Sequence, residues 1–487
     1  VKLTAHRAAL PGNVNMLTRS ASLPAPAYRQ EGGASSRLAR GAMTTVTIVT
    51  LGCKVNQFES EAIIDSLEHQ GYRTVPFGDL ADITIINTCT VTHRADFQSR
   101  QMVRKAIRFS PNSLLIVTGC YAQVEPQAFA EMKGVTYLLG NREKYFLPEL
   151  LPQMEQGRVE QLQISDIEKE TQFLDVPLYS FHRHTRAFLK IQDGCDAHCS
   201  YCIVPHARGR SRSLSPERII EHCALLKDKG FKEVVLTGIH IGAYGQDFSP
   251  PFSLEKLLEQ LEHAETPPRI RLSSIEPLDF SPGLISFLTQ SVKVCPHLHI
   301  PIQSAEDEIL RKMNRNYTSS FLSSLIHELH RRIPQISLGA DVIVGFPGET
   351  EKQFQHTQEL IETLPFSYLH VFPFSRRKGT PASRFPRQVR DSVITERAEI
   401  LRTLGKRKRQ SFYERFLHQE LNVLVQDRQD KRTGYWKGLS RNYVPVSLTQ
   451  DGTSREEQPS INQEWKVRII DVTESNVIGT AAERIHG

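Results

Sequence analysis

No stretch of the chain approaches the ~20 consecutive apolar residues of a membrane-spanning helix, so a helical membrane span is excluded. The first 30 residues also lack the apolar core of roughly 7–15 residues that marks a secretory signal. Apolar content is not short overall: 39% hydrophobic and 23% charged residues exclude a disordered chain, a collagen-like chain and a coiled-coil rod. Strong charge of one sign is also missing over most of the length. The net charge is 60 − 54 = +6, of which Val1–Ala42 supplies +5 with six basic residues against Glu31. At roughly 150 residues per domain, a chain of 487 residues has room for about three domains and an ample core.

Eight cysteines are present: Cys53, Cys89, Cys120, Cys195, Cys199, Cys202, Cys223 and Cys295. Without a secretory signal, a reducing, cytoplasmic setting is expected. There, cysteine clusters favour metal or redox chemistry over structural disulfides. The leader 1–42 is rich in Ala, Ser, Pro and Arg and has no hydrophobic periodicity. An Arg-rich, acid-poor leader fits a transit peptide. The preferred expectation is a disordered stretch translated from upstream, with Met43 as the working start.

From Thr45 the pattern alternates strand and helix. Val46–Leu51, Ile83–Ile86 and Leu114–Val117 read as strands, and Asn56–His69 and His93–Arg108 as helices. This rhythm predicts an open parallel α/β domain over 43–150. Cys53, Cys89 and Cys120 each follow one of the three strands. In a parallel sheet the loops after strand carboxyl ends share one edge, so the fold can bring the three thiols together. Residues 151–185 read as a connector. A second series follows, with strands at Phe188–Ile191, Val234–Leu236, Ile270–Leu272, Leu298–Ile300, Val342–Val344 and Leu369–Phe372, and helices such as Pro216–Lys229, Leu254–Glu262 and Phe321–Arg332. Six βα units predict a partial (β/α)6 barrel over 186–418, with its chemistry at strand carboxyl ends. A basic helix at Asp391–His418 closes it. The tail 419–487, with runs at Leu421–Val425, Tyr435–Leu448 and Trp465–Val472, predicts a small β-barrel.

The sharpest motif is Cys195-Asp196-Ala197-His198-Cys199-Ser200-Tyr201-Cys202, a C-x3-C-x2-C loop straight after a strand. Three thiolates on one short loop suit three corners of a cubane iron–sulfur cluster. A zinc site, with His198 as fourth ligand, is the structural alternative. The C-x3-C-x-aromatic-C loop resembles the radical S-adenosylmethionine superfamily. Leu51-Gly52-Cys53-Lys54-Val55-Asn56-Gln57, Asn87-Thr88-Cys89-Thr90-Val91-Thr92 and Gly119-Cys120-Tyr121-Ala122-Gln123 resemble the amino-terminal domain of the methylthiotransferases. Pro301-Ile302-Gln303-Ser304 and Asp341-Val342-Ile343-Val344-Gly345-Phe346-Pro347-Gly348-Glu349-Thr350-Glu351 match that family too. So does a carboxy-terminal TRAM barrel suggested by Gly434-Tyr435 and Ser440-Arg441-Asn442-Tyr443. Lys54, in Gly-Cys-Lys-Val-Asn-Gln, resembles the branch acting on threonylcarbamoyladenosine in tRNA.

The resemblance implies two 4Fe–4S clusters, one on Cys195, Cys199 and Cys202 and one on Cys53, Cys89 and Cys120, each with an open iron. It implies S-adenosylmethionine as cofactor and methylthiolation of C2 of the adenosine at position 37. One S-adenosylmethionine supplies the methyl group and a second gives the radical, because C2–H resists acid–base catalysis. Tyr201, Gly238, Glu276, Gln303 and Gly345 are candidate cofactor contacts, although Thr237-Gly238-Ile239 stands where the family has glycine-glycine-glutamate. Cys223 and Cys295 read as core cysteines. Arg376 to Arg415 carries thirteen Lys/Arg against four Asp/Glu, and Arg376, Arg377, Lys378, Lys406, Arg407, Lys408 and Arg409 suit phosphate contact. The tail has nine basic and ten acidic residues from 419 onward, so stacking by Tyr435, Trp436 or Tyr443 would matter there more than charge. A polar insert at Thr453–Ser460 departs from a compact barrel. Expected partners are tRNA and a flavodoxin or ferredoxin donor, with no membrane. The alternatives are methylthiolation of isopentenyladenosine or of a ribosomal protein, the latter favoured by the neutral tail, and a non-catalytic zinc-containing RNA-binding protein.

Overall fold

The computed structural model describes residues 43–176, 185–431, 433–449 and 459–485. The leader 1–42 and most of the polar insert, residues 453–458, lie outside the described residues. The β-branched runs Thr45–Thr50, Ile83–Thr88 and Leu114–Gly119 lie side by side in a six-stranded sheet, every pair parallel. Thr50 pairs with Asn87 and Asn87 with Thr118, so the three strands end level. Helices Lys54–His69 and His93–Phe109 cross between them. Part of the stretch read as a connector belongs to this sheet: Leu147–Glu155 is helical, and Leu162–Gln163 pairs with Leu138–Leu139 as the last strand. A two-residue strand carries no periodicity, so nothing in the residues signals it.

The central unit contains six parallel strands in two sets of three. Glu233–Thr237 lies between Arg186–Lys190 and Arg269–Leu272, and Ser337–Val344 lies between His297–Gln303 and Tyr368–Pro373. Single bridges, Ile270 to Val294 and Ser274 to His299, join the sets into an open barrel. All six expected strands and the three expected helices are present, with ends shifted by one to a few residues. The basic helix is Asp391–Glu414.

The tail is a closed barrel of five strands. The long run read at Tyr435–Leu448 splits into Trp436–Ser440 and Pro445–Thr449, because Tyr443 turns the chain with φ of +67°. Glu420–Gln429, Glu464–Val472 and a further strand, Val477–Ile485, complete it. Among the described residues, no helix is long and apolar enough to cross a membrane.

The first sheet and the open barrel share contacts. Phe58 and Ala62 of the helix Lys54–His69 are buried in the same core cluster as Phe188 of the strand Arg186–Lys190. Burying one such phenylalanine contributes about 2–3 kcal/mol.

Candidate functional site

Cys53 caps the helix Lys54–His69, Cys89 follows Thr88, and Cys120 opens the short helix Cys120–Val124. The three loops are pinned by local hydrogen bonds. Asn56 Nδ2 donates to the carbonyls of Leu51 at 2.8 Å and Thr88 at 3.0 Å. Ser99 Oγ accepts from the Cys89 N–H at 3.3 Å and donates to its carbonyl at 3.1 Å. Two glycines make the loops possible. A Cβ on Gly52, whose φ is +98°, would lie 2.8 Å from Cys89 Sγ, and one on Gly119, at φ +94°, would lie 2.4 Å from the Thr88 carbonyl. Only glycine meets both demands.

The second trio sits on the loop after Gln192–Asp193. Cys195 N–H donates to the Gly209 carbonyl at 3.1 Å, and Cys202 N–H to that of Cys199 at 3.0 Å. Ser200 anchors the loop from behind, its N–H donating to Met313 O at 3.0 Å and its hydroxyl to Lys312 O at 2.7 Å. Asn314 Nδ2 donates to His198 O at 3.1 Å, and the His198 backbone has φ +47°.

A buried charge network joins the two cysteine loops. Arg208, six residues after Cys202, donates to both oxygens of Glu59 at 2.8 and 3.0 Å, to Asp193 at 3.0 Å and to Asn56 Oδ1 at 2.6 Å. Lys144 and Lys190 also meet Glu59. Burial would raise the Glu59 carboxyl, but Arg208, Lys144 and Lys190 outweigh it and hold it well below the usual carboxylate range. Asn141 Nδ2 lies 3.6 Å from Cys120 Sγ and donates to the Ala207 carbonyl at 2.7 Å. Asn56, which braces the Cys53 and Cys89 loops, therefore shares one cation with the segment following Cys202.

The thiol environments fit clusters rather than single ions. Burial raises the Cys89 and Cys202 thiols to about 12 and also raises Cys53 and Cys199. Cys53 is nevertheless solvent-accessible. Cys53 and Cys89 both feel Cys120 and Arg208. Among the described residues, only His299, Asp341 and His370 bring three ligating atoms within 4.8 Å of one another. A cubane holds its thiolates farther apart than one ion does, and soft sulfur donors in threes suit it. His198 is exposed and belongs to no such compact group.

The expected cofactor contacts divide. Tyr201 and Glu276 come together through Arg315, which donates to the Tyr201 hydroxyl at 2.9 Å and pairs with Glu276. Gln303 ends its strand with φ +61°. Gly238 packs on Gln192, whose Oε1 accepts from Ile239 N–H at 3.0 Å and His240 N–H at 2.8 Å. Gly345 has a φ of +76°, and a Cβ there would lie 2.3 Å from Ile394 of the basic helix.

The basic strip also divides. Arg376 and Lys378 are exposed, as are Lys406 and Arg407. Arg377 is withdrawn from the phosphate-contacting set: it is 3% exposed and grips Asp96 and Thr90 of the first sheet's domain. Lys408 donates to the Glu362 and Leu364 carbonyls at 2.9 and 2.7 Å, and Arg409 to Glu474 O at 3.5 Å. Tyr443 is not available for base stacking, because its ring stacks on His297 at 4.0 Å beneath Arg271. Trp436 packs against the tail's own core. Cys223 and Cys295 are buried.

Sequence reasoning missed His240. Its Nδ1 lies 3.8 Å from Cys195 Sγ and its Nε2 pairs with Asp279 at 2.8 Å. Burial opposes its protonation, but Asp279 and Cys195 raise it to about 10. No spacing links residues 240 and 279, so only the fold shows the pair.

Residues 45–140 match the model described as uncharacterized protein family UPF0004, and residues 189–361 match that of the radical SAM superfamily. The chain is 39% identical over 407 residues to the threonylcarbamoyladenosine tRNA methylthiotransferase MtaB of Bacillus subtilis, covering 83% of this chain and 90% of that one. It is 38% identical to the protein of that name from Aquifex aeolicus, covering 82% and 96%. A tRNA-2-methylthio-N(6)-dimethylallyladenosine synthase from Pelotomaculum thermopropionicum is 34% identical, covering 84% and 92%. Among solved structures, the radical S-adenosylmethionine methyltransferase TsrM from Kitasatospora setae, with cobalamin and a 4Fe–4S cluster bound, aligns at TM-score 0.54 and 15% identity, covering 70% and 77%. That likeness is one of fold. With relatives this similar across most of its length, and two cysteine trios at the ends of two parallel sheets, the chain belongs to the threonylcarbamoyladenosine tRNA methylthiotransferase family of radical S-adenosylmethionine enzymes.

Proposed function

We propose that this chain transfers a methylthio group to C2 of N6-threonylcarbamoyladenosine at position 37 of tRNA. The observation that carries the reading is the Arg208 bridge, which braces the loops of both cysteine trios at one junction. Cys195, Cys199 and Cys202 would hold the cluster that meets S-adenosylmethionine, and Cys53, Cys89 and Cys120 the second cluster. When bound, these groups supply reductive cleavage of the sulfonium and a seat for the sulfur to be inserted.

The chain's own residues hold and protect that chemistry. Asn56, Ser99 and Asn141 fix the first trio's loops, and Ser200 and Asn314 fix the second's. Burial raises the Cys89 and Cys202 thiols to about 12, so they are protonated near neutrality and release protons as iron binds. Tyr201, Arg315 and Glu276 form a polar wall beside the second trio, suited to orienting S-adenosylmethionine. The charged side chains around Glu59 are themselves buried at the junction.

In this reading residues 43–150 seat the second cluster, 186–418 form the radical barrel and its basic helix, and 419–487 form a TRAM-like tail. Arg376, Lys378, Lys406 and Arg407 contact tRNA phosphates. The enzyme needs a reductant, and a flavodoxin or ferredoxin in the cytoplasm fits that role. Mass spectrometry of tRNA nucleosides tests the reading. A strain lacking the gene is expected to lose 2-methylthio-N6-threonylcarbamoyladenosine and accumulate the unthiolated nucleoside. Unchanged levels overturn it.

A further inference from the structure

Parallel barrels are ordinarily filled with branched apolar side chains. This one encloses charge. At the strand starts, Glu233 meets Arg269 at 2.9 Å, Arg271 at 2.8 Å and Arg186 at 3.5 Å. Arg269 also meets Glu464 of the tail at 3.0 Å. One layer on, Asp341 accepts from His299 at 2.8 Å and lies 3.3 Å from His370. The Tyr368 hydroxyl lies 2.9 Å from His297 Nε2 and 3.1 Å from His299 Nδ1. Tyr443 closes the floor against His297.

The helix Lys54–His69 lies against the barrel edge, with Phe58 and Ala62 in the barrel core, and Lys54 is its first residue. Lys54 sits within electrostatic reach of Arg186, Arg271, Glu233 and His297. Yet it makes no direct hydrogen bond or ion pair among the described residues. Arg271, by contrast, is fully engaged by Glu233 and the carbonyls of Ser440 and Arg441. Four cations (Arg186, Arg269, Arg271 and Lys54) therefore stand against three carboxylates (Glu233, Glu464 and Asp341), and among the described residues Lys54 is the one with no direct partner. A half-buried ammonium with no direct partner among the described residues, set beside buried polar groups, is a seat for an anion.

The substrate carries such an anion. In N6-threonylcarbamoyladenosine, C2 and the N6-bearing carbon flank the same ring nitrogen, and the N6 arm ends in a carboxylate and a hydroxyl. Holding C2 at the cysteine junction sends that arm into adjoining space, and Lys54 immediately follows Cys53. We propose that the barrel lumen is the subsite for the acidic arm of the nucleoside and that the Lys54 ammonium binds its carboxylate, an assignment that rests on the threonylcarbamoyladenosine reading above. Lys54 is thus a specificity-determining residue.

The test uses the reconstituted holoenzyme and two anticodon stem-loop RNAs, one with the natural nucleoside and one with its carboxylate replaced by a carboxamide. Wild type is expected to show a KM at least tenfold lower for the carboxylate RNA. Lys54→Met is expected to raise KM for that RNA about tenfold or more, to erase the preference between the two, and to leave kcat and iron per chain unchanged. Lys54→Arg is expected to restore part of the preference. Wild type indifferent to the swap, or Lys54→Met with the preference intact, overturns the assignment while leaving the reaction standing. A wild type that methylthiolates neither RNA overturns the nucleoside reading and this assignment with it.

Discussion

Arg208 and Glu59, 149 positions apart in the chain, form a two-pronged ion pair at 2.8 and 3.0 Å with both side chains buried. One residue comes from the helix behind Cys53 and the other from the helix behind Cys202. A paired guanidinium and carboxylate fix geometry as well as energy. Removing one partner strands the other charge in a dry site, which costs about 3–5 kcal/mol. Arg208→Met is therefore expected to lower the thermal unfolding midpoint and cluster retention. The double variant with Glu59→Gln is expected to lose less than the sum of the two single losses. Additive losses in calorimetry would sink the coupling.

The two cysteine trios are predicted to act independently in loading. Anaerobic reconstitution of the wild type should give about eight irons and a broad absorbance typical of cubane clusters. Cys53→Ala or Cys120→Ala should bind about four and still cleave S-adenosylmethionine to 5′-deoxyadenosine. Cys199→Ala should bind a similar amount and cleave none. Zinc with no iron in either trio would contradict both expectations.

Acid should undock the tail barrel. Burial would raise the Glu233 carboxyl, but Arg271 and Arg269 outweigh it and hold it far below its ordinary value. A depressed carboxyl stabilises the fold fully above its unfolded pKa of about 4.3, and that stability is lost as pH falls from there toward the folded pKa. Denaturant unfolding between pH 7 and pH 3 is expected to show a steep loss below about pH 4.5. Glu233→Gln is expected to be less stable at neutral pH with a flatter acid limb. An identical acid limb in the variant would count against this account.

The basic strip should separate by salt dependence. Exchanging Lys406 or Lys378, both exposed, for Gln is expected to weaken tRNA binding and reduce the salt slope by about one each. Arg377→Gln should leave the slope unchanged and lower stability, since that guanidinium is buried against Asp96 and Thr90. A slope change with Arg377→Gln would return it to the RNA surface.

Gly119→Ala is expected to disrupt the first trio without touching a thiol. The added methyl would lie 2.4 Å from the Thr88 carbonyl at a φ of +94°. Reconstitution should give about four irons instead of about eight, and full loading would refute the strain argument.

Much of this architecture is local and was legible in the residues. Runs such as Ile83–Ile86 and Val342–Val344 announce strands through β-branched content, and three cysteines each placed after a strand predict convergence because parallel strands end on one edge. The C-x3-C-x2-C loop narrows its chemistry to a metal centre by spacing, and its resemblance to the radical S-adenosylmethionine superfamily selects the iron–sulfur cluster. What the residues could not show is long-range. Leu162–Gln163 is a strand only because Leu138–Leu139 offers it partners. Arg377 reads as a surface cation until the fold brings Asp96 to it, 281 positions away. Tyr443 reads as a stacking platform until the tail docks and spends its ring on His297. Glycine, thiol and strand preferences are properties of short segments, so the sequence by itself determined the units and the placement of their cysteines after strands. Charge pairing depends on which surfaces meet, so only the tertiary structure decided that Arg208 would bind the two cysteine sites together and that Lys54 would make no direct ion pair among the described residues.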